Sequence, residues 1–507
     1  MPASRRYSTL LFLLFALCAW SVWSAAIWSH FSNIPFFDEW FFLKDLDAYV
    51  DGRASLLQVA LAPHCEHRMV ASKLLLCLLG PAIDLDLRLV CLASFLVAGA
   101  SLTILLVKCR ADICTGIVIL SAFMSLDAWE NWVWAWQLQV HSALFLGITG
   151  LWLHSRAGEE QAAAIGTVSL MLSGLSYAAG FGFACAAILL RLSRRQWRSA
   201  CIVACVAVVV VVAHYLSLPA KAFQVGIVPP ERASSAIAFL VDFMANPLVA
   251  TGAGNAVTQV IGMVGLAAGA TFMVACLLGK LDLRLHFSAS LCVAGLAAGC
   301  AIALGRGLDS NAGMVSRYAN FSNLAWIGII VTLIQVLATR SKVVTTTAFV
   351  GLVTWSSVAA YPDLLHRSKV LRASRAALAT GEGLTFELVR ATTPDIAALS
   401  LGLSIARKHG WCDLQALPLD LATQASLRID KRTDPWRFEV EGVPSGNVAQ
   451  LIARLEESEV VLWTGPVDEH GNTTTQVAAD KARLARSFVL RWLDHDAALR
   501  EVEAVDD

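Results

Sequence analysis

Four short segments of this chain of 507 residues concentrate side chains that can do chemistry. In Asn33-Ile-Pro-Phe-Phe-Asp-Glu-Trp-Phe-Phe, Asp38 and Glu39 lie between aromatic residues. Aromatic rings favour the membrane–water interface. A carboxylate held there beside apolar material is partly dehydrated, which raises its proton affinity and suits it to general-base work near neutral pH. An acidic pair exposed at a helix end fits the same residues. The second segment, His64-Cys65-Glu66-His67-Arg68, opens an apolar stretch. Cationic donors and free backbone N–H groups at such a helix start suit an anionic phosphate. His64, Glu66 and His67 are also metal-ligand types, but adjacent positions splay apart on a helix; solvation at the membrane interface fits the same residues, and the assignment is substrate binding with no metal.

The third segment, Glu130-Asn131-Trp132-Val133-Trp134-Ala135-Trp136-Gln137-Leu138-Gln139, alternates tryptophans with acid and amide groups. The rings alone read as an interfacial belt. Polar groups at the edge of a span face protein or a water-filled cavity, so Glu130 and Gln137 beside aromatic faces make a platform suited to a sugar. The fourth runs from Arg306 to Tyr318, with Arg317 beside Tyr318. Arginine forms forked contacts with phosphate.

The elements that position these segments follow from composition. Apolar residues make up 57% and charged residues 15% of the chain, and the mean hydropathy is +0.62. Soluble domains run about 45 to 50% apolar and about 25% charged, so a soluble protein is excluded. The 39 basic and 39 acidic residues cancel, which argues against a nucleic-acid partner. Half of these charges fall in residues 1–361 and half in 362–507, which predicts a membrane domain followed by a small water-soluble domain.

A hydrocarbon core of about 30 Å takes roughly 20 apolar residues in a helix. That length test predicts about eleven spans, near 8–28, 88–107, 113–127, 138–154, 162–177, 180–193, 199–218, 255–279, 285–304, 320–339 and 343–361. Lys and Arg collect on the cytoplasmic side. With the N-terminus inside, 13 of the 22 basic residues before position 362 fall on the cytoplasmic face, against 4 of the 17 acidic ones. All four segments and the C-terminal domain then lie outside. Residues 69–80 are too short to cross and read as an interfacial or re-entrant helix within one external loop, 29–87.

Residues 362–507 read as an extracytoplasmic α+β domain. Helices are predicted over 364–379, 395–409, 446–458 and 478–503, with Thr393 and Pro394 opening the second. Strands are predicted over 385–389, 436–440 and 459–463. Most of the 13 cysteines lie in spans, as small apolar residues. Cys65 and Cys412 face outside and can pair in an oxidising compartment.

The chain resembles the GT-C superfamily of polytopic glycosyltransferases, particularly bacterial members with an acidic motif in the first external loop. The matching pieces are Asp38-Glu39-Trp40, Glu66-His67-Arg68, Glu130-Asn131 with Gln137, and Ser316-Arg317-Tyr318. The resemblance covers the organisation of residues 1–361. It implies inverting transfer of a sugar from a polyprenyl-phosphate donor to a glycan or lipid acceptor, on the external face of a bacterial inner membrane, in cell-envelope modification. By that resemblance Asp38 is the general base, with Glu39 its alternative or partner. Arg68, Arg306 and Arg317 hold the carrier phosphate, and Tyr318, Glu130 and Gln137 line the sugar or acceptor pocket. No cofactor is implied with certainty, and a divalent metal is not indicated. The rival expectation is a transporter or flippase of a lipid-linked saccharide, and a third is a non-catalytic scaffold. Transporters keep ionisable groups at the bilayer midplane, whereas here they gather at the external edge, with Asp242 the nearest exception.

Overall fold

The computed structural model describes residues 3–506 except 65–66, 110–111, 157–159, 218–232, 249–255, 283–284, 307–313, 381–391, 394–395, 415–425, 431–435, 442–447, 455–458, 467–472, 478–486, 494–498 and 504. Its helices are α1 (Ala3–Trp28), α2 (Glu39–Val50), α3 (Leu56–Leu61), α4 (Val70–Leu79), α5 (Leu87–Lys108), α6 (Ile113–Phe123), α7 (Trp129–Val133), α8 (Leu138–Ser155), α9 (Glu160–Ser176), α10 (Gly182–Ser193), α11 (Trp197–Leu216), α12 (Ala233–Ala245), α13 (Ala256–Leu277), α14 (His286–Arg306), α15 (Ala319–Val336), α16 (Thr339–Thr380) and α17 (Ile396–His409). Each predicted span falls on a helix. Among the described residues, seven helical segments are long and apolar enough to cross a membrane. The chain is a helical, multi-pass membrane protein. The sequence pattern did not single out α12, whose 13 residues are too few to cross alone.

The fold divides into two compact units. The first comprises Met1–Phe31, Leu56–Leu75 and Arg88–Leu365; the second comprises Ser32–Ser55, Leu76–Leu87 and His366–Asp507. Parts of the stretch 29–87 therefore belong with the C-terminal residues. Helix α16 runs through the boundary near Leu365 without interruption although it contains Pro362. A proline in a helix interior has no N–H to donate to the carbonyl four residues back.

The first unit packs its helices through small residues, as membrane helices do where no hydrophobic force drives them together. A Cβ on Gly328 of α15 would stand 2.3 Å from Cys292 N and 2.7 Å from Ser288 O of α14. One on Gly295 of α14 would stand 2.6 Å from Phe321 O of α15. These are backbone atoms and cannot step aside. The same pair of helices is bonded across by Thr332 Oγ1 and Ser288 Oγ at 2.8 Å. Gly328→Val is expected to force α14 and α15 apart, at a cost of about 1 to 3 kcal/mol or more. The measurement is a lower unfolding temperature of the purified protein in detergent; an unchanged temperature would show that the helices need not approach so closely.

The second unit places α17 along α2: a Cβ on Gly402 would lie 2.6 Å from Cε3 of Trp40, whose side chain is fully buried. Beyond α17, eight strands are described: β1 (Ser426–Asp430), β2 (Trp436–Glu441), β3 (Val448–Arg454), β4 (Glu459–Pro466), β5 (Thr473–Val477), β6 (Ser487–Leu493), β7 (Leu499–Glu503) and β8 (Val505–Asp506). They form two four-stranded sheets, ordered β5-β2-β1-β8 and β4-β3-β6-β7. The helices expected over 446–458 and 478–503 are corrected by β3, β6 and β7. Phe488, Leu490 and Trp492 recur every second residue, the period of a strand, and that alternation outweighs the helical spacing of the longer window. The strand expected at 385–389 and the Pro394 cap lie outside the described residues.

Candidate functional site

Three segments distant in sequence meet in the first unit. A short helical turn at Ser316–Tyr318 precedes α15, and α7 carries Glu130 and Asn131 to it. The Glu130 N–H donates to Ser316 Oγ at 3.1 Å, the Arg317 N–H donates to Glu130 Oε2 at 3.2 Å, and Asn131 Nδ2 donates to the Arg317 carbonyl at 3.1 Å. The guanidinium of Arg317 lies 5.5 Å from the centre of the buried Tyr318 ring and interacts electrostatically with Glu130 and Tyr177. Asn246 Nδ2 donates to the Val315 carbonyl at 3.2 Å, which fixes the turn from α12's end.

His64 and His67 of the second segment join these. The two exchange backbone hydrogen bonds of 2.6 and 3.0 Å. The His64 ring stands 4.8 Å from that of Trp136, and the His67 ring 4.9 Å from that of Tyr177, which itself stacks on Phe321 of α15 at 5.7 Å. Imidazoles, a guanidinium, a carboxylate and aromatic faces thus share one region. Arg68 turns elsewhere, donating to the Leu61 carbonyl and to Ser217 Oγ. Cys65 and Glu66 lie outside the described residues, which leaves the Cys65–Cys412 pairing there too; Cys412 Sγ donates to the Leu85 carbonyl at 3.4 Å. Arg306 ends α14, and nothing is described of its side chain.

The tryptophans of the third segment do not form a belt facing lipid. Trp132, Trp134 and Trp136 are all buried, and Trp132 packs against Trp20, Trp23, Phe95 and His141 at 5.8, 4.8, 5.3 and 4.7 Å. Their area is spent on the core of the unit, not on the membrane interface. Gln137, Gln139 and Asn131 are buried beside them, and Gln137 Oε1, Gln139 Oε1 and Asn131 Oδ1 accept no hydrogen bond from the described residues. Buried amide oxygens of this kind are met by water or by a ligand's hydroxyl groups.

Asp38 and Glu39 lie in the second unit. The rings around them are likewise packed into protein: Phe36, Trp40 and Phe42 are buried and only Phe41 is exposed. The segment is held by Leu87 N–H to Asn33 Oδ1 at 2.9 Å, by Phe37 N–H to the Thr392 carbonyl at 2.6 Å, and by Arg367 over the Phe36 ring at 4.6 Å. Glu39 is buried, and its Oε2 accepts the Phe36 N–H at 2.6 Å. Asp38 is half-buried, caps α2 by position, and makes no side-chain cap bond.

Two features escaped the sequence pattern. Tyr177 marked only the end of a span. Asp127 closed an apolar run, yet it is buried, accepting hydrogen bonds from Ser125 and, at 2.6 Å, from Ser356 of α16. The Leu126 N–H donates to Ser357 Oγ at 3.1 Å, so the base of the third segment is tied to α16. Ser125-Leu-Asp127 has the spacing of a local side-chain turn, and that was the available signal.

Among the described residues, one trio has ligand atoms close enough for a metal ion: Asp47, Asp51 and His409, within 4.8 Å of one another in the second unit. Organic cations already meet those charges. Lys408 Nζ lies 2.8 Å from Asp47 and 2.7 Å from Asp51, His409 Nε2 lies 2.7 Å from Asp47, and Arg53 bonds both acids. Burial by itself raises the proton affinity of the Asp47 carboxyl, but the hydrogen bonds and charges of Lys408, His409 and Arg53 prevail and hold it down to about 2. Because this value lies below that of an unfolded aspartate, the contribution is complete above about pH 4 and is lost as the pH falls through about 2. Thermal unfolding followed from pH 6 to pH 2 is expected to show this loss, and Asp47→Asn to flatten it; an unaltered profile in the variant would assign the acid lability elsewhere.

Comparisons with family models, curated proteins and solved structures found nothing that matches the chain.

Proposed function

We propose that the protein is a membrane glycosyltransferase of the GT-C type, which moves a sugar from a polyprenyl-phosphate donor to a glycan or lipid acceptor on the external face of a bacterial inner membrane. In this reading about eleven helices cross, the N-terminus is cytoplasmic, and the C-terminal residues form an extracytoplasmic α+β domain. The observation that carries it is the convergence of His64 and His67, the 130–137 segment and the Ser316–Tyr318 turn near Arg317.

Each part has a task. Arg317 meets the charge that grows on the carrier phosphate as the glycosidic bond breaks, in a site where few waters compete. Glu130 fixes the backbone of Arg317, Asn131 holds its carbonyl, and His64 and His67 extend the set of donors toward the phosphate. Gln137 and Gln139 offer acceptors to sugar hydroxyls. The resemblance alone assigns the base that takes the acceptor's proton to Asp38; Glu39, committed to its own turn, positions that segment. Chemistry of this kind balances without a redox cofactor: the acceptor oxygen gains the sugar, the phosphate leaves with the bond's electron pair, and the proton passes to the base.

Translocation of a lipid-linked saccharide without transfer is the second reading. It draws on Asp127, an ionisable group buried within the span Ile113–Val133. Purified protein incubated with polyprenyl-phosphate sugars and candidate acceptors separates the two. Formation of glycosylated acceptor supports the transferase; movement of the lipid-linked sugar across vesicles with no product would establish the second reading in its place.

A further inference from the structure

At the opposite end of the first unit's helices, about 25 Å along α8 from the candidate site by helical rise, a buried arginine and a half-buried one stand together with no acid paired to either among the described residues. Arg191, in the last turn of α10, is 4% exposed. Its Nε donates to His154 Nδ1 at 3.1 Å and its Nη1 to Gln196 Oε1 at 2.7 Å. Arg194 Nη1 donates to the Ser155 carbonyl at 2.8 Å. Arg191 Nη2 and Arg194 Nε are buried with no hydrogen-bond partner among the described residues.

The partners are all neutral. His154, fully buried, receives the Arg191 proton on Nδ1, so that nitrogen is unprotonated and the ring's own N–H faces Thr167 Oγ1 at 3.3 Å. None of the acids described at this end, Asp112, Glu160 and Asp282, forms an ion pair with either arginine; Asp112 lies 4.0 Å from Lys342. The end of α10 offsets part of one charge through its dipole. It closes with Arg195 in the left-handed region and with bonds from Gln196 N to Arg191 O and from Arg195 N to Leu192 O, which use its carbonyls on backbone donors. Two guanidiniums remain close enough to repel each other. A buried charge without a counter-charge is destabilising, and the unpartnered Arg191 Nη2 and Arg194 Nε can each donate to an oxygen of one anion.

We propose that Arg191 and Arg194 hold a phosphate group, the chemistry shared by anionic phospholipid headgroups and inorganic phosphate. The site is separate from the candidate glycosyl-transfer site and stands whether or not that reading holds.

The test uses the full chain, purified and stripped of lipid in detergent. Its unfolding temperature and bound-lipid mass are measured with phosphatidylglycerol, phosphatidylcholine or inorganic phosphate. A rise of several degrees with phosphatidylglycerol over phosphatidylcholine, with apparent affinity falling at least tenfold in Arg191→Gln, assigns a lipid headgroup. The same pattern with inorganic phosphate assigns the free anion. No stabilisation of the wild-type chain by either probe overturns the proposal, as does a shift of equal size in Arg191→Gln. Should that variant not fold, Arg194→Gln carries the same comparison, and Arg191→Lys, which keeps the charge but loses the fork, should bind with intermediate affinity.

Discussion

Asp38→Asn is expected to fold as the wild-type chain does and to lose sugar transfer by a factor of at least about 10² to 10⁴, the range supplied by a positioned general base. The substitution keeps the size and shape of the side chain and removes its charge and its capacity to take a proton. Asp38 makes no side-chain cap bond to α2, so the change removes no cap from that helix. Glu39 gives the contrast. Its Oε2 accepts the Phe36 N–H, a task the amide oxygen of Glu39→Gln can still perform, so that variant should keep most of its activity. Glu39→Ala should lower the unfolding temperature instead, since the buried N–H loses its acceptor at about 1 to 3 kcal/mol. Full transfer by Asp38→Asn with loss in Glu39→Gln would exchange the two roles, and full transfer by both would remove the base from this segment.

Arg317→Lys is the second variant of large effect. It preserves charge but not the planar fork, and the loss of one aligned donor to developing charge is worth about 10² to 10³ in kcat. The geometry confines the damage: the backbone bond from Arg317 N to Glu130 Oε2 and the bond from Asn131 to the Arg317 carbonyl are untouched by a change of side chain. The unfolding temperature should therefore hold while kcat falls, with KM for the donor rising less. Glu130→Gln should act more weakly, because its amide oxygen can still accept the Arg317 N–H. Wild-type kcat in Arg317→Lys would show that the phosphate charge is met by another group.

Much of the membrane unit was legible in the sequence because a helix in lipid must bond its own backbone and cover it with apolar side chains over a fixed length. That constraint wrote every span-length helix into the composition. Segments that bond elsewhere were less legible. Phe36, Trp40 and the tryptophans of 132–136 have the composition of an interfacial belt, and only tertiary packing reveals that they are buried in protein. The strands β3, β6 and β7 were obscured because a window of alternating apolar residues also fits part of a helical stripe, whereas β4 falls on the strand expected over 459–463.

The sequence by itself determined that this protein lies in a membrane, where its span-length helices fall, and which residue types cluster between them, since each of these depends on runs of neighbouring residues. Tertiary structure alone decided which clusters meet. It brought Glu130 to Arg317 and His67 to Tyr177, sent Arg68 to Ser217, and left Arg191 beside a neutral histidine. Contacts across such distances in sequence depend on how helices pack and on which small residues let them approach, and no local pattern of residues encodes that geometry.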